Sequence, residues 1–299
     1  MEKDLLTAQQ AADFLKVNKS TIYEMAKRGE IPSTKIGKQL RIAREDLEAL
    51  FDDTTPHRPA EPVSTPGTLV LCGQDASLDV IANQVSALPG AVPILRSYAG
   101  SYNSLNMLYH GHVDIATSHL WDEQSQSYNL PYISKLLPGL RVMVVRLFGR
   151  TIGIYTAKGN PLGIASIEDL RRPEVRMVNR EKGSGTRILL DEKLKALGIC
   201  PDHIRGYGTE CSNHLSIAST VARGDADFGM GAESATRQVP NVDFIPIQQE
   251  WYDMVLLEKN SRLPAYRVLL EYVMSPHFQM ELSQMGRYDF SQTGSVFLL

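Results

Sequence analysis

Cysteine is scarce in this 299-residue chain, which carries only Cys72, Cys200 and Cys211. A stapled extracellular fold uses more cysteines, in even number, so a reducing compartment is expected. Long apolar runs are missing as well. No window approaches eighteen uninterrupted apolar residues, and no transmembrane helix is expected. The opening stretch MEKDLLTAQQ is charged and lacks the apolar centre of a secretory signal. These absences give the expectation of a cytoplasmic protein with no membrane contact. An excess of one charge is also lacking: 31 Lys and Arg stand against 34 Asp and Glu, a net charge of −3. The whole chain is therefore no polycation, and nucleic acid could be met only through a local basic surface.

What is present divides into three segments. Residues 1–51 read as a small domain. Thr7 can cap a helix over Ala8 to Leu15 that puts Ala11, Ala12, Phe14 and Leu15 on one face. After the turn KVN, Asn18 or Ser20 can cap a second helix that runs to about Arg28, with Ile22, Met25 and Ala26 inward. Gly29 ends it and Pro32 prevents its return. STKIGKQLRI reads as a hairpin turning at Gly37-Lys38, and REDLEALF as a last short helix. Residues 52–67, DDTTPHRPAEPVSTPG, hold four prolines and form a semi-stiff linker. Residues 68–299 alternate apolar runs (TLVLCG, VPILRSY, VDIATS, VMVVRLFG, TIGIYT, VRMVNR, DFIPI) with helical stretches. That alternation predicts an α/β domain with mixed, mainly parallel sheets, and its length predicts two lobes.

Two helices, a tight turn and a hairpin make a winged helix-turn-helix plan. The second helix and the wing hold the missing positive charge: Lys16, Lys19, Lys27, Arg28, Lys35, Lys38, Arg41 and Arg44, opposed only by Glu24 and Glu30. Ser20, Thr21 and Tyr23 are placed to read base edges or phosphates, and the basic residues to position the protein on the backbone. A helical cap with a solvated basic face is the plain alternative; helix spacing, turn and wing together favour DNA. The stretch from Leu6 to Phe51 resembles the excisionase-type branch of the MerR-like DNA-binding domains. The likeness rests on T-x-x-x-A-A-x-x-L in the first helix, S-T-I-Y in the second, G-x-I-P, and G-x-x-x-R-I in the wing.

NREKGSGTRILLDEKL (179–194) carries a Gly-Ser-Gly-Thr turn into a helix. No lysine follows the last glycine, so it is no Walker A loop, and it is no dinucleotide fingerprint either. Gly183, Ser184, Gly185 and Thr186 supply backbone N–H groups and hydroxyls at a helix start expected near Arg187, which suits an anion. Arg180 and Arg187 could add charge; a capped helix with two surface arginines is the alternative. CGQDASLDVIA (72–82), with Asp75 and Ser77, and SYAGSYNSLNML (97–108), with Tyr98 and Ser101, also run from strand to polar turn to helix. Ligands of open α/β sheets gather at such strand ends. His119, just past VDIATS, could face the same cleft as a donor. Asp75 either caps its helix or grips a hydroxyl or amine of an organic ligand.

Residues 68–299 resemble the two-lobed periplasmic-binding-protein fold that holds molybdate, tungstate and phosphate. They look closest to its cytoplasmic version in transcription regulators and molybdopterin-biosynthesis fusions. The likeness is carried by HLWD (119–122), YNLP (128–131), GNP (159–161), NREKGSGTRILLD (179–191), NHLSIASTVARGDADFGMGAE (213–233) and DFIPIQQEWYDMVLL (243–257). It implies interlobe crossings near 148–156 and 240–248, one lobe of about 68–150 plus 245–299, and another of about 151–244. It also implies a small anionic ligand, molybdate or tungstate among the candidates, and places His214 on a cleft loop. CPDH (200–203) and CSNH (211–214) repeat C-x-x-H, but the spacing fits no standard zinc finger. Cys200 is expected as a small buried residue, and no metal and no catalytic residue is assigned.

The resulting expectation is a one-component transcription regulator, homodimeric on a two-fold operator, that senses a small anion and has no required cofactor. The alternative is a ligand carrier or enzyme of molybdenum-cofactor metabolism with a DNA-binding-like tether. A phage-type excisionase is the third reading, disfavoured by the large C-terminal segment.

Overall fold

The computed structural model of the protein describes residues 5–15, 17–28, 31–36, 39–44, 47 and 67–299. They fall into two compact units, Met1–Ala60 and Glu61–Leu299.

The N-terminal unit runs β1 (Leu5–Thr7), α1 (Ala8–Leu15), α2 (Lys19–Arg28), β2 (Thr34–Ile36) and β3 (Gln39–Ala43). Thr7 ends the first strand and starts the helix, its Oγ1 accepting from the Gln10 N–H at 3.2 Å. The hairpin strands pair antiparallel as expected, Thr34 opposite Arg41. β1 was not foreseen; three residues are too few to show alternation, and it forms because β3 offers it an antiparallel partner. Leu6, Ala11, Ala12, Ile22, Ile31 and Ile42 close a small core. The expected turn at Gly37-Lys38 and most of REDLEALF lie outside the described residues.

The C-terminal unit opens with β4 (Leu69–Cys72), α3 (Ser77–Ser86), β5 (Ile94–Ser97), α4 (Ser101–Tyr109) and β6 (Ile115–Ser118). The hairpin β7 (Trp121–Asp122) and β8 (Ser127–Tyr128), α5 (Leu130–Leu136) and the long β9 (Val142–Ala157) follow. Next come β10 (Met177–Arg180), α6 (Gly185–Ala196), β11 (Glu210–Cys211), α7 (His214–Ala222) and β12 (Phe228–Ala232). The unit closes with β13 (Val242–Leu257), α8 (Pro264–Val273), α9 (Pro276–Ser283), β14 (Tyr288–Asp289) and β15 (Val296–Leu298). One mixed, curled sheet takes the order β11-β10-β12-β9-β13-β6-β4-β5, with β14 and β15 also on β9. It is parallel toward both ends and antiparallel through the middle.

Two apolar cores sit on the two faces of each half. Leu71, Ile115, Val145 and Met254 look one way in the first half, while Cys72, Ala116, Val144 and Val255 look the other. In the second half Met177 and Ile154 alternate with Val178 and Tyr155 in the same manner. Helices cover the faces through apolar stripes; α3 buries Leu78, Ile81, Ala82 and Val85.

VMVVRLFG and TIGIYT, read as separate runs, form the single strand β9, and DFIPI is only the start of β13. Both strands have 16 residues and pair along their length, with bulges at Pro246/Gln248 and Tyr252/Asp253. Arg146, Arg150, Glu250 and Asp253 interrupt the apolar pattern but not the strands. The register sets Arg150 opposite Glu250 and Arg146 opposite Asp253, so each charge is neutralised across the ladder. β9 meets β15 at residues 143–145 and β12 at 152–155, and therefore passes between the halves in between.

Candidate functional site

The Gly-Ser-Gly-Thr turn follows β10 directly. Gly183 adopts φ +88°, in the left-handed region glycine favours. Ser184 is the N-cap of α6, its Oγ accepting from the Arg187 N–H at 3.3 Å. The helix starts at Gly185, two residues earlier than expected, so Thr186 belongs to its first turn. Thr186 is buried and its Oγ1 has no hydrogen-bond partner in the protein.

The other two turns lie against this one. Gly100 caps α4 so close that an added Cβ would sit 2.7 Å from both the Gly183 carbonyl oxygen and the Ser184 Cα. The Tyr102 N–H donates to the Gly183 carbonyl at 3.0 Å. Gly185 packs on His119, where a Cβ would fall 2.4 Å from Nδ1. Ser101 is buried, and its Oγ accepts from the His119 N–H at 3.1 Å. On the turn after β4, Gln74 accepts from Arg180 Nη2 at 2.5 Å and donates to Glu181 Oε1 at 3.0 Å. The two lobes thus touch directly.

Behind the contact lies a buried charge cluster. Arg150 donates through Nη1 to Asp75 and through Nε to Glu250 Oε1 at 2.7 Å; all three side chains are at most 6% exposed. Burial opposes the charge on Arg150, but Glu250 and Asp75 outweigh it and hold the guanidinium more firmly protonated than usual. Burial opposes ionisation of Glu250 too, and there His119 and Arg150 win, so its pKa is lowered. His119 Nδ1 lies 2.9 Å from Glu250 Oε2. Beside an ionised carboxylate that nitrogen carries the hydrogen. The His119 ring stacks on Tyr252, whose hydroxyl is 2.9 Å from Thr117 Oγ1. Burial, then Asp75, pushes the Tyr252 pKa up to about 12, so it stays a neutral phenol.

Asp75 is therefore no bare carboxylate facing a ligand. One oxygen accepts from the Ser77 N–H at 2.8 Å and the other takes Arg150. Ser77, the first residue of α3, is fully buried and its Oγ has no partner in the protein. Ser77 and Thr186 are joined by an unbroken chain of contacts through Asp75, Arg150, Glu250, His119 and Gly185. Each lobe so brings an unpartnered, buried hydroxyl at the start of a helix.

His214, first residue of α7, lies beside Arg180, with both ring nitrogens 3.4 Å from Nη1. Burial first, then the charges of Arg180, Arg150 and His119, hold its pKa well below the ordinary 6.5. Two expected residues stay outside the cluster. Tyr98 is 66% exposed and its hydroxyl donates to Asp79 at 3.2 Å. Arg187 is buried but turned away, onto Asp191, Glu210 and the Arg180 carbonyl, with its guanidinium over the Tyr207 ring. It braces the turn from behind. The residues not foreseen are Arg150, Glu250, Tyr252 and Gln74. The signal for the first two was a charge inside an apolar strand, which calls for a buried partner. Among the described residues no cluster of three metal-ligating side chains occurs. Cys200, expected to be buried, is exposed, because it follows the helix into a surface turn.

In the N-terminal unit, α2 carries Lys19, Ser20, Thr21, Tyr23, Lys27 and Arg28. Ile22 is fully buried against the core, while Lys19 and Tyr23, one turn apart, are exposed and Thr21 is half-buried. Lys35 is on β2 and Arg41, half-buried, on β3. Lys38 lies outside the described residues.

Comparison with known proteins agrees with this division. A helix-turn-helix domain model matches residues 5–54, and a PBP superfamily domain model matches residues 82–274. YvgK of Bacillus subtilis is 37% identical over 309 residues, covering 99% of each chain. A hydrogen-peroxide-bound mutant of OxyR from Corynebacterium glutamicum superposes with a TM-score of 0.52 at 13% identity, over 93% of this chain and 89% of that one. A phosphate-bound substrate-binding protein of a phosphate ABC transporter from Clostridium perfringens gives 0.53 at 13% identity, over 73% of this chain and 97% of that one. At such identities both structures speak for the fold alone.

Proposed function

The chain belongs to the PBP superfamily, with a helix-turn-helix domain ahead of it, and on that premise we propose that it is a one-component transcription regulator whose C-terminal cleft senses a small oxyanion. The observation that carries the oxyanion is the pair of buried, unpartnered hydroxyls, Ser77 Oγ and Thr186 Oγ1, one at a helix start in each lobe. Helix starts favour negative charge, and a hydroxyl with no partner in the protein is a donor in reserve. Molybdate, tungstate, sulfate and phosphate share the required tetrahedral oxygens. The pairing of Asp75 with Arg150 supports this reading, since it sets a countercharge against the carboxylate that would repel them.

The head is an excisionase-type winged helix. Its α2 enters the major groove with Lys19 and Tyr23 outward, and the wing follows the backbone. A homodimer in the cytoplasm would match a two-fold operator, with no catalytic step. The ligand acts by binding the closed cleft better than the open one, and only that difference can alter DNA affinity.

Fluorescence anisotropy on genomic DNA fragments, with each of the four oxyanions added in turn, tests the reading. Sequence-specific binding that one oxyanion changes by about tenfold or more, a coupling of ~1.4 kcal/mol, supports it. An oxyanion that binds the protein and leaves DNA affinity unchanged sinks the regulator; no oxyanion binding at all sinks the ligand class.

A further inference from the structure

Beside the strand crossing lies a recess of about 400 Å³ that shares no residue with the three cleft turns. Trp121 and Tyr128 of the β7–β8 hairpin form one wall, and Trp251 of β13 and Phe297 of β15 contribute to the other side. Both tryptophans of the chain line this one space. Gln126, Gln249 and Gln292, all exposed, bring amide groups to its lining. A recess of several hundred Å³ that sets four aromatic rings beside convergent polar groups has the make-up of a small-molecule site.

Its polar anchor is Arg146. The guanidinium lies 4.9 Å from the Trp251 ring centre and 5.3 Å from that of Phe297. Nε and Nη2 donate to Asp253 at 2.9 and 3.2 Å, and Nη1 donates to Gln292 at 2.5 Å. A guanidinium has five N–H donors. Two on Arg146 meet no protein acceptor among the described residues, although the side chain is only 9% exposed. Asp253 has already cancelled the charge. The anchor therefore offers hydrogen bonds without net charge, which favours a neutral acceptor over an anion.

Asn129 holds this geometry in place. It is fully buried at φ 66° and ψ −58°, the region of a γ-turn. Its Oδ1 accepts from Ser118 Oγ at 2.9 Å and the Leu120 N–H at 2.7 Å. Its Nδ2 donates to Asp253 Oδ2 at 2.8 Å and the Trp251 carbonyl at 3.1 Å. One side chain thus ties the hairpin wall to the opposite side, and the recess is preorganised.

We propose that the recess is a second binding site, for a flat, neutral heteroaromatic ring with a hydrogen-bond-acceptor edge, the chemistry of a purine base. The ring lies against Trp251, and its acceptor edge takes the two free Arg146 donors, while Trp121, held by Tyr128 and Lys193, backs the hairpin wall. The site also reports on closure. The hairpin, a separate two-stranded sheet, follows β6 of the first half, yet Trp121 and Tyr128 pack on the core of the second. Arg146 and Trp251 lie on the two strands that join the halves.

The test uses the full chain, titrated with adenosine, guanosine and adenosine monophosphate by calorimetry and by tryptophan fluorescence. At least one nucleoside should bind and quench the emission. Arg146→Lys should weaken it about tenfold, the value of one charge-assisted hydrogen bond. Trp251→Phe should weaken it and reduce the quenching while circular dichroism stays that of the parent. If Arg146→Lys fails to fold, Trp251→Phe decides alone. Neither heat nor quenching from either nucleoside up to roughly 1 mM, the weak end of specific binding, overturns the proposal. Binding that Trp251→Phe leaves intact, or binding of the monophosphate without either nucleoside, overturns it too.

Discussion

Replacing Thr186 by valine should move stability and affinity in opposite directions. Thr186 Oγ1 is buried in the first turn of α6 with no partner in the protein. A hydroxyl left in that state costs ~1–3 kcal/mol, and valine has the same shape without it. Valine and threonine differ little in helix propensity, so the backbone adds almost nothing. The ligand-free protein should therefore gain up to ~1–3 kcal/mol, which raises Tm by about 2–4 °C per kcal/mol in a unit of this size. A bound oxyanion would lose one charge-assisted hydrogen bond, or ~1.5–3 kcal/mol, and affinity should fall about ten- to hundredfold. Scanning calorimetry without ligand, and titration calorimetry with molybdate, tungstate, sulfate and phosphate, read the two effects separately. A variant that melts lower and binds as before would show that the hydroxyl stabilises the fold and does not meet ligand. Ser77→Ala should behave in the same way from the other lobe.

Three further outcomes follow from the same geometry. Gly100→Ala puts a methyl group 2.7 Å from Gly183 and Ser184, so the lobes cannot seat. Oxyanion affinity should drop by about tenfold or more with little change in Tm, and small-angle scattering should lose its ligand-induced compaction; affinity kept intact would mean the contact is dispensable. Arg150→Met leaves Asp75 buried without its countercharge and Glu250 with His119 alone, and should cost ~3–5 kcal/mol in urea unfolding. A loss below about 1 kcal/mol would mean the cluster is solvated. Acid should destabilise the protein from about pH 6.5 downward. The folded-state pKa of His214 is depressed, so the unfolded chain binds the extra proton first, and Glu250 adds the same sign below the ordinary carboxylate value of 4.5. His214→Asn should flatten the Tm profile between about pH 7 and 5, and an unchanged slope would assign the acid sensitivity elsewhere.

Local chemistry was legible in the sequence and long-range pairing was not. Thr7 as cap, the α1 and α2 spans, the wing strands and the three strand-to-helix turns each follow from residues within one turn of each other. Arg150 and Glu250 are 100 positions apart, and their pairing depends on the β9–β13 register, which no local pattern encodes. Arg187 misled for a related reason. At the end of a Gly-Ser-Gly-Thr turn an arginine can face ligand or brace the turn; Asp191, one helical turn on, and Tyr207 draw it backward. Tyr98 sits in the expected turn, but Asp79 and Arg96 hold it on the outside. The hydroxyls of Ser77 and Thr186 show what the sequence can and cannot say: their positions were readable, and their lack of partners was not.

That lack of partners has a size that can be compared with what a switch requires. Closure packs Gly100 on Gly183 and Gly185 on His119. On the proposed reading closure also buries Ser77 Oγ and Thr186 Oγ1, neither of which has a partner in the protein. Each costs ~1–3 kcal/mol when left unpaired, so on the proposed reading the empty closed form carries a penalty of ~2–6 kcal/mol. An oxyanion that satisfies both removes it. Moving a two-state equilibrium from 1:99 to 99:1 takes ~5.5 kcal/mol of differential binding. Two hydroxyls therefore come within reach of a complete switch, and the loss of either should leave the lobes only partly responsive. The charge cluster makes no comparable contribution, because Arg150 pairs with both Asp75 and Glu250, and His119 also faces Glu250, with or without ligand. Its role in closure is to let an anion approach helix starts that a lone Asp75 carboxylate would otherwise guard.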